Sequence, residues 1–269
     1  MPSTPPSPPC QGGARPEQIR PSPEKGAEQG FREAALHACE AGRLCKTDRG
    51  AMGGVKPPHI RPLGLVDYAP TWQAMIDFTA TRTAETPDEL WICEHPPVYT
   101  LGQAGKPEHL LADNGIPLVQ IDRGGQITYH GPGQVVIYLL LDLNRRGFKV
   151  RELVTRMEQA IIDLLAEHGV AATRLDKAPG VYVGHAGASG YPAKIAALGL
   201  RIRRGCSYHG LSLNVEMELA PFSAINPCGY AGMPVTQTRD LGVALTTAQA
   251  AEALTRHLIR QLETPLETP

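Results

Sequence analysis

The stretch RGGQITYHGPGQ, Arg123 to Gln134, places four glycines within twelve positions, between two runs that have the character of β-strands. Glycine permits positive φ and allows a backbone to approach a ligand closely. No Gly-Lys-Ser/Thr follows, so the stretch is not a P-loop. It is not a dinucleotide fingerprint either, because Gly131-Pro132-Gly133 leads into a strand and not a helix. The glycines alone fit an ordinary wide hairpin loop as well as a loop that approaches a ligand, but the full motif is much rarer than a lone glycine loop.

Working outward, the strand-like runs come in clusters of hairpin spacing that are interrupted by helices. Apolar residues at helical spacing predict helices over 68–82, from 150 to Gly169, and from Thr246 to 262, the last with a Thr246/Gln249 capping box. The predicted strands cover residues 89–94, 98–101, 117–122, 134–143, 180–183, 194–203 and 207–215. Because strands and helices do not alternate strictly, we expect an α+β fold with helices packed on one face of a sheet.

Composition divides the chain into two parts. Residues 1–56 are rich in proline and glycine and poor in large apolar side chains, which predicts a disordered N-terminal extension; Met52 is a plausible alternative start. Residues 57–269 are predicted to form one folded domain. The formal net charge of −1 gives no electrostatic reason to expect nucleic acid or an anionic membrane as a partner. No secretory signal or long apolar run is recognisable, and we expect a cytoplasmic protein.

The cysteines are scattered, so a disulfide framework is not expected. Cys228 lies between Pro227 and Gly229 in a turn-rich segment, where a reactive thiol or a structural one would both fit. Cys206 precedes His209 in a C-x-x-H spacing, but no second ligand pair completes a zinc site, and a strand residue is the simpler interpretation. Cys93 is expected to be in the core.

Two histidines lie in the richest motifs. His130 and His209 each follow an aromatic residue and precede a glycine. Either could be a satisfied core histidine, but their placement also fits side chains that line a site. His95, which precedes two prolines, is interpreted as a turn residue.

Several motifs occur together in a characteristic order. They are DRGGQITYHGPGQ (122–134), PGVYV (179–183), KIAALG (194–199), RRGCSYHG (203–210) and NPCGYAG (226–232). This set resembles the octanoyl-[acyl-carrier-protein]:protein N-octanoyltransferase family, also called lipoyl(octanoyl) transferase or lipoate-protein ligase B. The likeness extends over about Leu63 to Leu262. It implies a single catalytic domain with the biotin/lipoate protein ligase fold, a mixed sheet with helices.

The resemblance also implies an activity and a set of site residues. Members of this family move an octanoyl or lipoyl group from an acyl carrier protein thioester, through a cysteine acyl-enzyme, to a lysine of a lipoyl domain. It implies Cys228 and Lys194 as the catalytic pair. The implied substrate-binding residues are Arg123, Gly124, Gly125, Gln126, Ile127, Thr128, Tyr129, His130, Ala197, Leu198, Gly199, Gly210, Leu211 and Ser212.

The implied partners are octanoyl acyl carrier protein as donor, and as acceptors the lipoyl domains of 2-oxoacid dehydrogenase complexes and the glycine cleavage H protein. Transfer from a thioester to an amine is downhill, so we expect no cofactor, no ATP and no metal.

Two features depart from the family pattern: the extension before Pro57, and the segment Gly184 to Ala193, which is interpreted as a lengthened surface loop that leaves Lys194 in place. Three alternatives stay open. An ATP-dependent lipoate or biotin ligase would share the fold, a thiol hydrolase could use His209 as the base for Cys228, and an acyl-binding module would bind without a covalent adduct.

Overall fold

The computed structural model describes residues 55–176, 178–185, 190–227 and 232–264. Almost all of the predicted N-terminal extension therefore lies outside the described residues, as does part of the predicted surface loop. The elements in chain order are β1 (His59–Leu65), α1 (Tyr68–Thr81), β2 (Glu89–Glu94), β3 (Val98–Leu101), β4 (Leu118–Gln120), β5 (Ile127–His130), β6 (Gln134–Leu140), α2 (Leu143–Arg146), α3 (Val150–Glu167), β7 (Ala172–Leu175), β8 (Ala178–Val183), β9 (Ala193–Arg203), β10 (Cys206–Asn214) and α4 (Thr247–Glu263).

Seven strands form one sheet in the order β1-β2-β6-β10-β9-β8-β7. The β1–β2 pair is parallel, and the other pairs in this sheet are antiparallel. A smaller sheet has the order β4-β3-β5, with β3 parallel to β4 and antiparallel to β5. The large sheet is thus mixed, as the family resemblance implies.

The large sheet carries helices on both faces, so the prediction that helices cover one face is wrong. Successive residues of a strand point to opposite faces. In β6, Ile137 and Leu139 belong to the main core with α3 and α4, whereas Val136 and Tyr138 pack with Met75 of α1. Every residue of β6 is buried, and such a strand needs an apolar cover on both sides.

Local signals fixed the helices well. The side chain of Thr246 accepts a hydrogen bond from the backbone N–H of Gln249, whose own side chain bonds back to Thr246, which is the predicted capping box. Helix α3 ends just before Gly169, whose φ of 74° suits glycine. The sequence did not predict β1, α2 or β7, and it placed β5 within the glycine-rich loop. The strand predicted over 134–143 is too long, because β6 ends at Leu140 and Leu143 begins α2. Within the described ranges, no helix is long and apolar enough to cross a membrane.

Candidate active site

A cleft lies between the face of the large sheet that is opposite α3 and α4 and the glycine-rich segment that contains β5. It contains about 730 Å³ of space not occupied by atoms, part of it open to solvent. Three segments predicted from separate motifs meet there. The predicted site residues that line it are Arg123, Gly125, Gln126, Ile127, Thr128, His130, Lys194, Ala197, Leu198, Gly199, Gly210, Leu211 and Ser212.

Two of the predicted binding residues are not among those that line the cleft. The ring of Tyr129 packs edge-on against Phe222 and beside Tyr99, in a separate apolar cluster. Gly124 donates its backbone N–H to the carbonyl of Leu200 at 2.9 Å, which ties the glycine-rich segment to β9. A substrate contact by either residue stays a prediction.

Cys228 lies outside the described residues, together with Gly229, Tyr230 and Ala231. The chain on both sides of this gap is described. Pro227 lines the cleft, and the returning segment runs beside β9, where the backbone of Lys194 bonds to Pro234 and Thr236 at 2.8 and 3.0 Å. The described residues on the two sides of Cys228 therefore lie at the cleft wall and alongside Lys194.

Lys194 is buried on β9, with 4% of its surface exposed. The β8–β9 register shifts between Val181 and Tyr182, so that Tyr182 is the cross-strand partner of Lys194. A bulge of this kind re-aims a side chain and is common beside active sites. Nζ of Lys194 donates to the Pro179 carbonyl at 3.1 Å and to the Tyr182 hydroxyl at 3.2 Å. A buried cation held on fixed acceptors can stabilise a nearby thiolate.

Arg123 anchors the glycine-rich segment over β9. Its guanidinium donates to the carbonyl of Thr100 and to its hydroxyl, both at 2.9 Å, and to the Gly124 carbonyl at 3.0 Å. A methyl group at Gly199 would lie 2.9 Å from Cδ of Arg123, so glycine is needed there for this close packing. The same contact explains why the motif of β9 and the arginine of the first motif lie together.

His130 is held uncharged in the cleft wall. Its Nδ1 lies 2.7 Å from Oε1 of Gln134, whose amide nitrogen donates to Asn214 at 2.9 Å. Burial, with the neighbouring His95, lowers the pKa of His130 to about 3. Nδ1 therefore carries the proton and donates to Gln134. An uncharged His130 ring suits contact with an apolar chain, because such a chain cannot solvate a charge.

Asp122, to which the sequence assigned no role, organises the region next to the cleft. It accepts hydrogen bonds from Trp72 at 2.8 Å, from His209 at 3.0 Å, and from the hydroxyl of Tyr208. Burial opposes its ionisation, but these donors outweigh that effect and lower the pKa of Asp122. Burial also lowers the pKa of His209, so a neutral imidazole donates to the carboxylate.

His209 and Lys194 lie far apart on the sheet. The cross-strand partner of His209 is Leu200, six positions beyond Lys194 on β9. At about 3.3 Å per residue, that separation is roughly 20 Å. The two side chains therefore cannot contact the same sulfur atom. A thiol that is assisted by Lys194 cannot also be assisted by His209.

His95 lies in the connection between β2 and β3, as its assignment to a turn predicts, but sequence did not predict the surroundings of its side chain. Its side chain is fully buried, Nδ1 lies 2.6 Å from the carbonyl of Val66, and Nε2 lies 2.6 Å from the hydroxyl of Tyr138. Burial lowers the pKa of His95 to about 4, so the neutral ring donates to Val66 and accepts from Tyr138. Cys93 is a buried core residue and Cys206 begins β10, as predicted.

The comparisons with known proteins establish the family of the chain. The model of the lipoyl protein ligase A/B catalytic domain matches residues 67–259. An octanoyltransferase of Dechloromonas aromatica is 70% identical over 207 residues, which are 77% of this chain and 98% of that protein. The chain belongs to the octanoyltransferase family. Octanoyltransferases are acyltransferases, so the predicted enzyme class is confirmed. An octanoyltransferase of Laribacter hongkongensis is 65% identical over 77% of this chain and 97% of its own length.

Solved structures confirm the fold. A putative lipoate protein ligase from T. acidophilum superposes with a TM-score of 0.61 at 17% identity, over 77% of this chain and 85% of that one. A lipoate-protein ligase A bound with ATP gives the same TM-score and identity, over 77% and 86%. The sequence relatives are octanoyltransferases, so the alternative of an ATP-dependent ligase is not favoured.

Proposed function

We propose that this octanoyltransferase moves an octanoyl group from an acyl carrier protein thioester to a lysine of a lipoyl domain, through an acyl-Cys228 intermediate. This reaction would be the first step of endogenous protein lipoylation, carried out in the cytoplasm. The observation that carries the proposal is the buried Lys194, which lines the same cleft as Pro227, the residue before Cys228. Lipoyl domains of 2-oxoacid dehydrogenases and the glycine cleavage H protein are the proposed acceptors.

In the first half-reaction, the Cys228 thiolate attacks the carbonyl carbon of the donor thioester. A free thiol has a pKa of about 8.5, and a nearby ammonium favours its ionised form. The bond between the acyl carbon and the carrier sulfur breaks, and the carrier leaves as a thiol with a proton from Lys194. Octanoyl remains on Cys228, and Lys194 is neutral.

In the second half-reaction, the acceptor lysine amine attacks the same carbonyl carbon. Neutral Lys194 takes the proton that the amine must lose, the amide forms, and the Cys228 thiolate leaves. Each tetrahedral intermediate carries an oxyanion, for which backbone N–H groups of the glycine-rich turns are the proposed donors. Val136, Ala197 and Leu198 line the cleft and offer apolar contacts to an acyl chain.

Intact-mass spectrometry tests the covalent step. The enzyme is mixed with octanoyl acyl carrier protein, without ATP, and one octanoyl group should appear on the peptide that contains Cys228. Cys228→Ser should lose nearly all turnover, whereas Cys206→Ser, the control, should keep the adduct. An adduct mapped to Cys206 would contradict the proposal, and a requirement for ATP would favour the ligase.

Substitution of Lys194 separates its two roles. Lys194→Arg keeps a positive charge but does not release a proton near neutral pH. It should retain thiol alkylation at mildly acidic pH and yet be slow in amide formation. Lys194→Ala should lose both properties. If Lys194→Ala alkylates with the wild-type pH profile and transfers at the wild-type rate, Lys194 is not part of the site.

A further inference from the structure

Lys194 donates to two groups of β8, and neither of them can return a proton to it. Pro179 offers a backbone carbonyl, at 3.1 Å from Nζ. The hydroxyl of Tyr182, at 3.2 Å from Nζ, gives its own proton to the Ala178 carbonyl at 3.0 Å. Toward Lys194 this hydroxyl is therefore an acceptor. The Tyr182 side chain is fully buried, which keeps it in this orientation.

The backbone of β8 is built to let the lysine come close. Gly180 has a φ of 151°, and a methyl group there would lie 2.8 Å from Cε and 2.9 Å from Nζ of Lys194. On its other side, Gly180 donates its N–H to the buried carboxylate of Glu158 on α3, at 3.1 Å. The hydrogen bond to Glu158 thus holds β8 against α3, and the absence of a side chain at Gly180 leaves room for Lys194. Both features keep the acceptors on β8 in position.

We propose that Tyr182 is a positioning residue that fixes the direction in which Lys194 exchanges its proton; this inference rests on the proposed function. An amine nitrogen has four tetrahedral directions, one of which is the bond to Cε. Pro179 and Tyr182 define two more, both toward β8. The last direction points away from β8, on the side of the cleft that Lys194 lines with Pro227.

This arrangement determines which proton leaves. When Lys194 is neutral it keeps two N–H bonds, and the two acceptors on β8 hold them because a buried carbonyl or hydroxyl that loses its donor is costly. The lone pair then occupies the direction toward the cleft, where the acceptor amine arrives. Tyr182 therefore aligns the base without touching the substrate.

Tyr182→Phe keeps the ring and removes the hydroxyl. One N–H of Lys194 loses its acceptor, and the terminal amine can turn about the Cδ–Cε bond. We expect single-turnover amide formation to fall about tenfold, since misaligned groups lose effective concentration. The midpoint pH of Cys228 alkylation should rise, because the ammonium that stabilises the thiolate has lost a hydrogen bond.

Tyr99→Phe is the matched control. Tyr99 is also fully buried, its hydroxyl donates to the carbonyl of Pro221 at 2.8 Å, and it accepts from Asn114 at 2.9 Å. The substitution therefore removes the same kinds of hydrogen bond at a site that is not in contact with Lys194. A general loss of stability should affect both variants alike, whereas the alkylation profile should move in Tyr182→Phe alone.

The measurements are alkylation of Cys228 against pH and single-turnover amide formation, in wild type and both variants. Equal behaviour of Tyr182→Phe and Tyr99→Phe in both assays overturns the positioning role. A failed proposed function looks different, because wild type itself would then form no Cys228 adduct. If Tyr182→Phe does not fold, 3-fluorotyrosine incorporated at position 182 supplies a weaker acceptor of the same shape. An unchanged midpoint pH of Cys228 alkylation then overturns the proposal. A rise that is smaller than the one expected for Tyr182→Phe supports it.

Discussion

His130 should make the free energy of unfolding depend on pH. Burial, with His95 beside it, lowers the pKa of the folded-state ring to about 3 from the ordinary histidine value of 6.5. A base with a depressed folded-state pKa is protonated more readily in the unfolded chain. The contribution of His130 to the free energy of unfolding is therefore fully present above pH 6.5 and is lost as the pH falls from 6.5 toward 3. Because pH 5 lies about 1.5 units below 6.5, the free energy of unfolding should be lower there by about 2 kcal/mol.

The perturbation is His130→Gln, and the assay is urea unfolding at pH 7.5 and pH 5.0. The variant carries no titrating ring, so its stability should fall less than that of wild type between the two values, by about 2 kcal/mol. The comparison is a difference of differences, so any loss of packing in the variant cancels. His59→Gln is the control, because His59 is exposed on β1.

The reasoning is refuted if His130→Gln and wild type lose the same free energy within about 0.5 kcal/mol, the usual error for independent sites. The ring would then accept a proton in the folded protein. A charged ring would still donate from Nδ1 to Gln134 and would carry its second proton on Nε2.

Three further outcomes are expected. Gly199→Ala should cut octanoyl transfer by at least tenfold with the fold intact by circular dichroism, since the added methyl group meets the arginine beneath the glycine-rich segment. Gly133→Ala should lower the free energy of unfolding by more than the roughly 1–2 kcal/mol expected from positive φ alone, because the added methyl group also meets backbone atoms. Gly169→Ala, which has a similar φ and open space around it, is the control, and urea unfolding is the measurement. A chain that starts at Met52 should turn over normally and melt within a few degrees of the full chain, and a large drop in melting temperature would show that the N-terminal residues dock.

The features that sequence predicted well depend on near neighbours. Helix α4 needs only its apolar spacing and the Thr246/Gln249 pair, which are three positions apart. The bounds of β2 and β3 agree with the prediction to the residue, because short apolar runs are closed by turn residues on both sides. The layering was not predictable in this way, since the apolar surface of α1 does not tell which face of the sheet it covers.

The polar network beside the cleft could not be predicted from the sequence, because its partners are distant along the chain. His95 finds its partners 29 and 43 positions away, and Asp122 is joined to Tyr208 across 86 positions. A histidine before two prolines is typical of a turn, and only tertiary packing turns this one into a buried acceptor. Burying such groups is favourable only when every partner is present. Asp122 is the first residue of the motif DRGGQITYHGPGQ, which is the one signal that could have marked it.

Lys194 is a third case. Its motif predicts that the residue belongs to the site, but an irregularity in strand pairing determines which groups its side chain contacts. Lys194 lies on β9, but the register shift beside it decides that it lies opposite Tyr182 and reaches Pro179. With regular pairing, the residue across from Tyr182 would be the core residue Ile195, and the lysine would point elsewhere. A one-residue shift of this kind leaves no mark in hydrophobic periodicity. The contact between Tyr182 and Lys194 therefore became visible only once the pairing of β8 with β9 was known, although the motif PGVYV was recognised in the sequence.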